Sequence, residues 1–206
     1  MRASSLTSLS LHWLRFSSYD PQEIVTLAEQ ILENYLIRSG SRLDRALLLK
    51  FLERGYADVF PGQDYSHLAR TVEQYFSPDT PLWWVDYVGS GDKGNKGQET
   101  VAQSSVPNSP VACLWAGNAI DQLRGSRHTH IFLLYVIPEH RRRGLGTALM
   151  KYVENWARKR GDLQIALQVF QSNQPAINLY SQLGYETQSL WMIKPLAPEK
   201  QTGGWE

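Results

Sequence analysis

The sequence predicts an α/β protein built on a mixed sheet with helices packed against it. Two observations carry that prediction. The run His130-Ile131-Phe132-Leu133-Leu134-Tyr135-Val136-Ile137 is β-branched and aromatic, too short for a confident helix, and stopped by Pro138, as a buried strand would be. From Leu145 the apolar period changes to 3.6 residues, with Leu145, Ala148, Leu149, Tyr152, Val153 and Trp156 on one face of a helix. Between strand and helix lie three arginines, Arg141, Arg142 and Arg143, then Gly144 and Gly146. Glycines there have no Cβ, so the amides that open the helix can lie against a bulky ligand. Unpaired amides, the positive end of the helix dipole and the arginines together form a site suited to phosphate.

The elements expected along the chain are as follows. Leu9 to Phe16 reads as a strand. Asp20-Pro21-Gln22-Glu23 reads as an N-cap, a proline at the first helical position and the glutamate of a capping box. The helix it opens would bury Ile24, Leu27, Ala28, Ile31, Leu32, Tyr35 and Leu36 and end near Gly40. A second helix is expected from about Leu43 to Arg54, stopped by Gly55, and a third from Asp64 or Ser66 until Pro78. Strands are expected at Leu82 to Val88 and Val111 to Ala116. The stretch 89–110 is rich in Gly, Ser, Lys and Asn and offers little to bury, so it is expected to be a mobile hairpin loop. After the central helix, which runs to about Arg160, come a strand from Leu163 to Phe170, a helix from Pro175 to Leu183 capped by Gly184, and a strand from Glu186 to Lys194. The end beyond Pro195 is expected to fray.

Bulk composition narrows the function classes. The 206 residues are 42% hydrophobic and 20% charged, which suits one soluble domain with one good core. Net charge is +1, so nothing global points to nucleic acid or an anionic membrane. The charge is uneven, since residues 138 to 160 hold seven Lys and Arg against Glu139 and Glu154. A local excess of that size suits a phosphate-bearing cofactor better than a long polyanion. The single cysteine, Cys113, lies in an apolar run and reads as core, so no internal disulfide framework exists. No stretch approaches the ~18 consecutive apolar residues of a membrane helix, and a cytoplasmic location is expected. The first nineteen residues, with two Arg and no acid, faintly suggest a transit peptide, but the strand reading is preferred.

The pattern Arg141-x-x-Gly144-x-Gly146, after a strand and Pro138, resembles the acetyl-CoA pyrophosphate loop of the GNAT superfamily of N-acetyltransferases. A second stretch, Asn173-Gln174-Pro175-Ala176-Ile177-Asn178-Leu179-Tyr180-Ser181-Gln182-Leu183-Gly184-Tyr185, resembles that superfamily's downstream motif. The resemblance implies a mixed, mostly antiparallel central sheet flanked by helices. The length favours a single domain over residues 1–206; the resemblance implies an acetyl-CoA-binding core at about 111–194, while the helical N-terminal region, with an insertion at about 41–78, reads as enlarged, longer than the two helices the family usually places there. The resemblance is firm over 111–194, whereas 9–88 match only in coarse order.

The resemblance also implies roles for individual residues. Leu134, Tyr135 and Val136 would bond the pantetheine arm and the thioester carbonyl through their backbone. Residues 141–147, which are Arg141, Arg142, Arg143, Gly144, Leu145, Gly146 and Thr147, would hold the pyrophosphate, with Arg142 and Arg143 adding charge at the rim. Tyr180, seven residues after Asn173, falls where the family carries the tyrosine that protonates the departing sulfur, and Asn173 would bond the pantetheine or cap the helix. Where several members carry a basic glutamate this chain has Gln168, which cannot accept a proton at neutral pH. The alternative register for an acid falls on His130, whose reference pKa of ~6.5 suits a base acting directly or through water. His128 is a poorer candidate. On the strand that usually flanks the acceptor cleft, Trp83, Trp84 and Asp86 would hold a cationic amine, although core packing explains the tryptophans equally well.

Acetyl transfer from a thioester to an amine needs a neutral amine, a stabilised oxyanion and a protonated leaving thiolate. The expected function is therefore N-acetylation of a primary amine, on a small molecule or a peptide, by direct attack in a ternary complex with acetyl-CoA. The expectation includes no metal, no nucleic acid and no membrane partner, and leaves a homodimer open. A competing expectation is a non-catalytic acyl-CoA-binding sensor or scaffold, motivated by Gln168 and the long N-terminal region. Nucleic-acid binding through the two arginine clusters is favoured by local charge alone and would show a steep salt dependence.

Overall fold

A computed structural model of the chain describes residues 28–89 and 109–196. The strand expected at Leu9 to Phe16, the cap at Asp20 and nearly all of the 89–110 loop lie outside the described residues. A six-stranded sheet runs in sequence order, β1 (Glu29–Leu32), β2 (Tyr35–Ser39), β3 (Leu82–Tyr87), β4 (Ala112–Ile120), β5 (Arg127–Val136) and β6 (Ile165–Leu167). Neighbours are antiparallel except β5 and β6, which are parallel. Helices α1 (Arg45–Val59) and α2 (His67–Tyr75) connect β2 to β3, α3 (Leu145–Lys159) crosses from β5 to β6, and α4 (Gln174–Gln182) follows β6.

Strand alternation sorts side chains to the two faces of the sheet. Trp83, Val85, Leu114, Ala116 and Ile131 pack with Leu145, Leu149, Met150 and Val153 of α3. Leu82, Trp84, Cys113, Trp115, Leu133 and Tyr135 pack with Leu48, Phe51 and Leu52 of α1 and with Leu68 and Val72 of α2. Trp84, Leu114 and Leu149 are fully buried, and each such side chain contributes about 1.5 to 3 kcal/mol. The result is a three-layer sandwich with the central strands β3, β4 and β5 covered on both sides.

Four sequence expectations are corrected by the structure. The helix expected through Ile31, Leu32, Tyr35 and Leu36 is instead the β1–β2 hairpin, with Leu32 opposite Tyr35 and Asn34 in the left-handed region at φ 64°. Those apolar residues fit a helical period, but Tyr35 and Ile37 are buried while Leu36 and Arg38 are less so, the alternation of a strand. The described N-terminal region accordingly holds a hairpin and two helices rather than three helices.

Gly55 does not stop α1, which continues to Val59. A methyl there would meet the Tyr135 ring at 3.4 Å, an ordinary contact, so packing leaves room for a side chain at this position. The strand expected over Leu163 to Phe170 shrinks to Ile165–Leu167, since β6 leaves β5 after Leu167. The strand expected over Glu186 to Lys194 does not form, and Leu190, Trp191, Met192 and Ile193 are exposed with no strand beside them.

Candidate active site

The site begins with an irregularity in β5. Leu133 pairs with Trp115 and Ile131 with Ala116, so Phe132 is an extra residue in the ladder, a bulge that bends the strand. On its other side β5 pairs with β6 only at Thr129, His130 and Ile131. From Phe132 to Val136 the strand keeps β4 but has no strand partner on the β6 side among the described residues, which leaves an open backbone edge there. Leu134, Tyr135 and Val136, the predicted pantetheine contacts, lie on that stretch.

The chain then turns through Pro138–His140 into the basic loop. Arg142 (φ 60°) and Gly144 (φ 84°) are both left-handed, a conformation that costs a non-glycine residue energy and is retained at ligand loops. Gly144 caps α3 without a side-chain bond. The first helical bond runs from the Ala148 amide to the Gly144 carbonyl, so the amides of Leu145, Gly146 and Thr147 have no intrahelical partner. Gly146 is needed for a different reason. A Cβ there would come within 3.0 Å of Leu179, because the first turn of α3 packs against α4.

The three arginines separate into distinct positions. Arg141 turns inward, its Nε donating to the Val136 carbonyl at 2.8 Å, its Nη2 paired with Asp58 of α1, and its guanidinium lying over the Tyr135 ring. The cation named first in the motif therefore anchors the loop to β5 and α1. Arg143 Nη1 donates to the Tyr35 hydroxyl at 3.3 Å. Arg142 is exposed and forms no ion pair among the described residues.

Tyr180 sits on α4, half-buried against the α3-side core that also takes in Leu134 and Val136, with its ring 5.9 Å from that of Tyr185. Burial pushes its phenol up to about 12, so it is protonated throughout the neutral range. Asn173 caps α4, its Oδ1 accepting from the Ala176 amide at 3.3 Å. Both the motif loop and Tyr180 thus lie on the α3 face, and Leu179 joins them by contact.

His130 stands at the last-but-one position where β5 still pairs with β6, between Gly117 and Ala166. Alternation with Ile131 turns it to the opposite face, where it lies beside Phe132 at 5.3 Å. Burial, reinforced by His128, holds its imidazole below the ordinary 6.5, leaving a free base at neutral pH. His128 itself is buried, and its Nδ1 has no hydrogen-bond partner among the described residues.

The residues named for the amine are placed differently. Trp83 is buried against Tyr152 and Trp156 of α3, and Trp84 is buried against Phe51 of α1. Neither presents an exposed face. Asp86 is partly exposed but bonded to Arg38 of β2 at 2.7 Å. Aromatic rings do gather where α1 ends near the β6–α4 loop, with Phe170 4.7 Å from Phe60 and 6.0 Å from Tyr56. Sequence reasoning missed Asp58, Tyr35 and His140 as loop partners. His140 stood inside the motif region, while Asp58 and Tyr35 come from 83 and 108 residues away and carried no local signal.

Among the described residues, no group of three or more His, Cys, Asp and Glu is arranged to hold a metal, and no helix is long and apolar enough to cross a membrane. Cys113 is buried, and burial raises its thiol far above the reactive range.

Comparison with known proteins bears on this arrangement directly. The chain is 29% identical over 110 residues to streptothricin acetyltransferase of Streptomyces lavendulae, covering 52% of this chain and 58% of that protein. It is 42% identical over 52 residues to a peptidyl-lysine N-acetyltransferase of Escherichia coli, covering 25% and 32%. The chain thus matches under two thirds of the length of these relatives. In fold it is similar to a predicted acetyltransferase from Clostridium acetobutylicum solved with acetyl-CoA, with a TM-score of 0.58 at 16% identity over 78% of this chain and 96% of that one. The model of the acetyltransferase (GNAT) family matches residues 53–185. Because that match runs from the middle of α1 to the end of α4, taking in the open edge of β5 as well as the loop, the chain belongs to the acetyltransferase (GNAT) family of acyltransferases.

Proposed function

We propose that the chain is an N-acetyltransferase that moves the acetyl group of acetyl-CoA to a primary amine by direct attack in a ternary complex. The observation that carries this reading is the edge of β5 left without a strand partner among the described residues, which runs straight into a loop whose three amides have no intrahelical partner, with Tyr180 packed against the same core as Leu134 and Val136. Backbone groups of Leu134, Tyr135 and Val136 would align the pantetheine arm. The amides of Leu145, Gly146 and Thr147, aided by the α3 dipole and by Arg142 and Arg143, would take the pyrophosphate.

In the transfer, the neutral amine nitrogen attacks the thioester carbonyl carbon and a C–N bond forms. A backbone amide of β5 stabilises the oxyanion. The C–S bond then breaks, Tyr180 gives its proton to the departing sulfur, and the proton shed by the nitrogen goes to His130 through water. Tyr180 packs on the α3 side of the sheet and His130 lies beside Phe132 on the other, so a water relay would carry the nitrogen's proton to His130. The relatives that act on streptothricin and on peptidyl-lysine support an amine acceptor. Gln168, exposed just beyond β6, supports His130 over a carboxylate base.

The test is release of coenzyme A thiol across a panel of polyamines, lysine peptides and aminoglycosides. Steady amine-dependent release is expected. Saturable acetyl-CoA binding with no release for any amine would replace this reading with the binding-module alternative.

A further inference from the structure

Tyr35 begins β2 and is 5% exposed, yet its hydroxyl reaches the basic loop 105 residues further along the chain. It lies 3.0 Å from His140 Nδ1 and 3.3 Å from Arg143 Nη1. An arginine can only donate, so the Tyr35 oxygen accepts from Arg143, and its own proton is available to His140 Nδ1 when the neutral imidazole carries its hydrogen on Nε2. In that tautomer the chain runs one way, from Arg143 through Tyr35 to His140. Burial and the nearby Arg143 hold the His140 imidazole below its ordinary value, against a smaller opposing effect of Glu139, so Nδ1 is free to accept at neutral pH.

The rings reinforce this arrangement. Tyr87 of β3 stands directly across from Tyr35, with ring centroids 5.2 Å apart, and His140 packs edge-on against both rings at 5.7 and 5.0 Å. Arg143 meets no carboxylate among the described residues. A guanidinium is thereby held by a neutral hydroxyl, with its charge uncompensated, one residue before the glycine that opens α3. Arg141 makes the contrast, since Asp58 neutralises it.

We infer that Tyr35, locked by His140, is a positioning residue of the coenzyme phosphate site, holding Arg143 with its charge free for the pyrophosphate bound at the head of α3. This rests on the acetyl-CoA reading above, and it adds β2 to a site otherwise built from β5, α3 and α4. Pre-positioning reduces the side-chain freedom lost when the anion arrives. The effect therefore belongs to donor affinity and not to the chemical step.

The experiment is a double-mutant cycle on acetyl-CoA dissociation constants, measured by calorimetry on the full chain. Tyr35→Phe keeps the ring and removes only the hydroxyl. It is expected to weaken acetyl-CoA binding about five- to tenfold, within the range for one typical intramolecular hydrogen bond. Arg143→Gln is expected to weaken binding at least as much. The double variant should match Arg143→Gln within about twofold, because Tyr35 acts through Arg143. Damage to the fold would instead multiply with the arginine loss. Tyr35→Phe binding like wild type, or a double variant showing the full product of the two losses, would overturn the inference. A wild-type chain that does not bind acetyl-CoA at all would remove the underlying reading instead.

Discussion

The two halves of β5 are built for different work. Its first half, Arg127 to Ile131, lies between β4 and β6 and is tied down by a buried carboxylate. Thr129 Oγ1 donates to Asp162 Oδ2 at 2.5 Å, while Arg127 and Arg160 approach the same carboxylate at 3.1 and 3.8 Å. Its second half, Phe132 to Val136, keeps one neighbouring strand and ends in a side-chain bond from Arg141. One strand therefore supplies both a rigid anchor and an unfilled backbone edge, and the Phe132 bulge marks the boundary. The difference teaches that the cleft is made by withholding a strand from an otherwise complete sheet.

That comparison can be broken from the anchored side first. Asp162→Ala removes the carboxylate that Thr129 and two arginines share. It should cost about 2 to 3 kcal/mol of stability, the upper range for hydrogen bonds to a charged group, read as a lower urea midpoint. The affinity of the folded variant for acetyl-CoA should stay within twofold of wild type, because the open half is untouched. A large loss of donor affinity with stability intact would erase the distinction between the halves.

His130, at the boundary, sharpens it. Replacement by Gln should lower kcat about tenfold to a hundredfold, toward the lower end of general-base effects. The pH dependence has a definite sign. The imidazole is held below 6.5, so under the proposed role as free base its contribution is present above that pH and is lost as pH falls through the lowered value. The ratio of wild-type to His130→Gln rates should be flat above pH 6.5 and decline below it. A ratio that stays constant through that range would remove His130 as the base and leave water in its place.

How much of this was legible in the sequence depends on the range of the interactions. The strand–loop–helix unit from Ile131 to Trp156 was readable because each signal is local: a β-branched run, Pro138, two glycines and a 3.6-residue period. Tyr180 and Asn173 were reached only through the resemblance of one short motif to the family's, and the structure places Tyr180 on α4 and Asn173 at its N-cap. The β1–β2 hairpin was not readable, since Ile31, Leu32, Tyr35 and Leu36 satisfy a helical stripe and the turn uses Glu33-Asn34 without glycine. Gly55 looked like a stop because glycine is a poor helix former, but packing of α1 on the sheet carries the helix through it to Val59. Trp83 and Trp84 fitted both an amine site and core packing in the sequence, and because β3 is covered on both faces both rings are core. The partners that hold the arginines, Asp58 and Tyr35, depend on tertiary folding and left no pattern to find.

The measurement that tests the central claim most directly is the Tyr180→Phe variant in the thiol-release assay, with the amine identified from the panel. Burial keeps this phenol protonated up to about 12, so it offers an acid at every working pH. The account predicts a fall in kcat of about a hundredfold or more, within the range for a lost general acid, with acetyl-CoA affinity and urea midpoint unchanged. Turnover equal to wild type, with the fold intact, would contradict the claim that the open half of β5 and α4 together form the reaction centre.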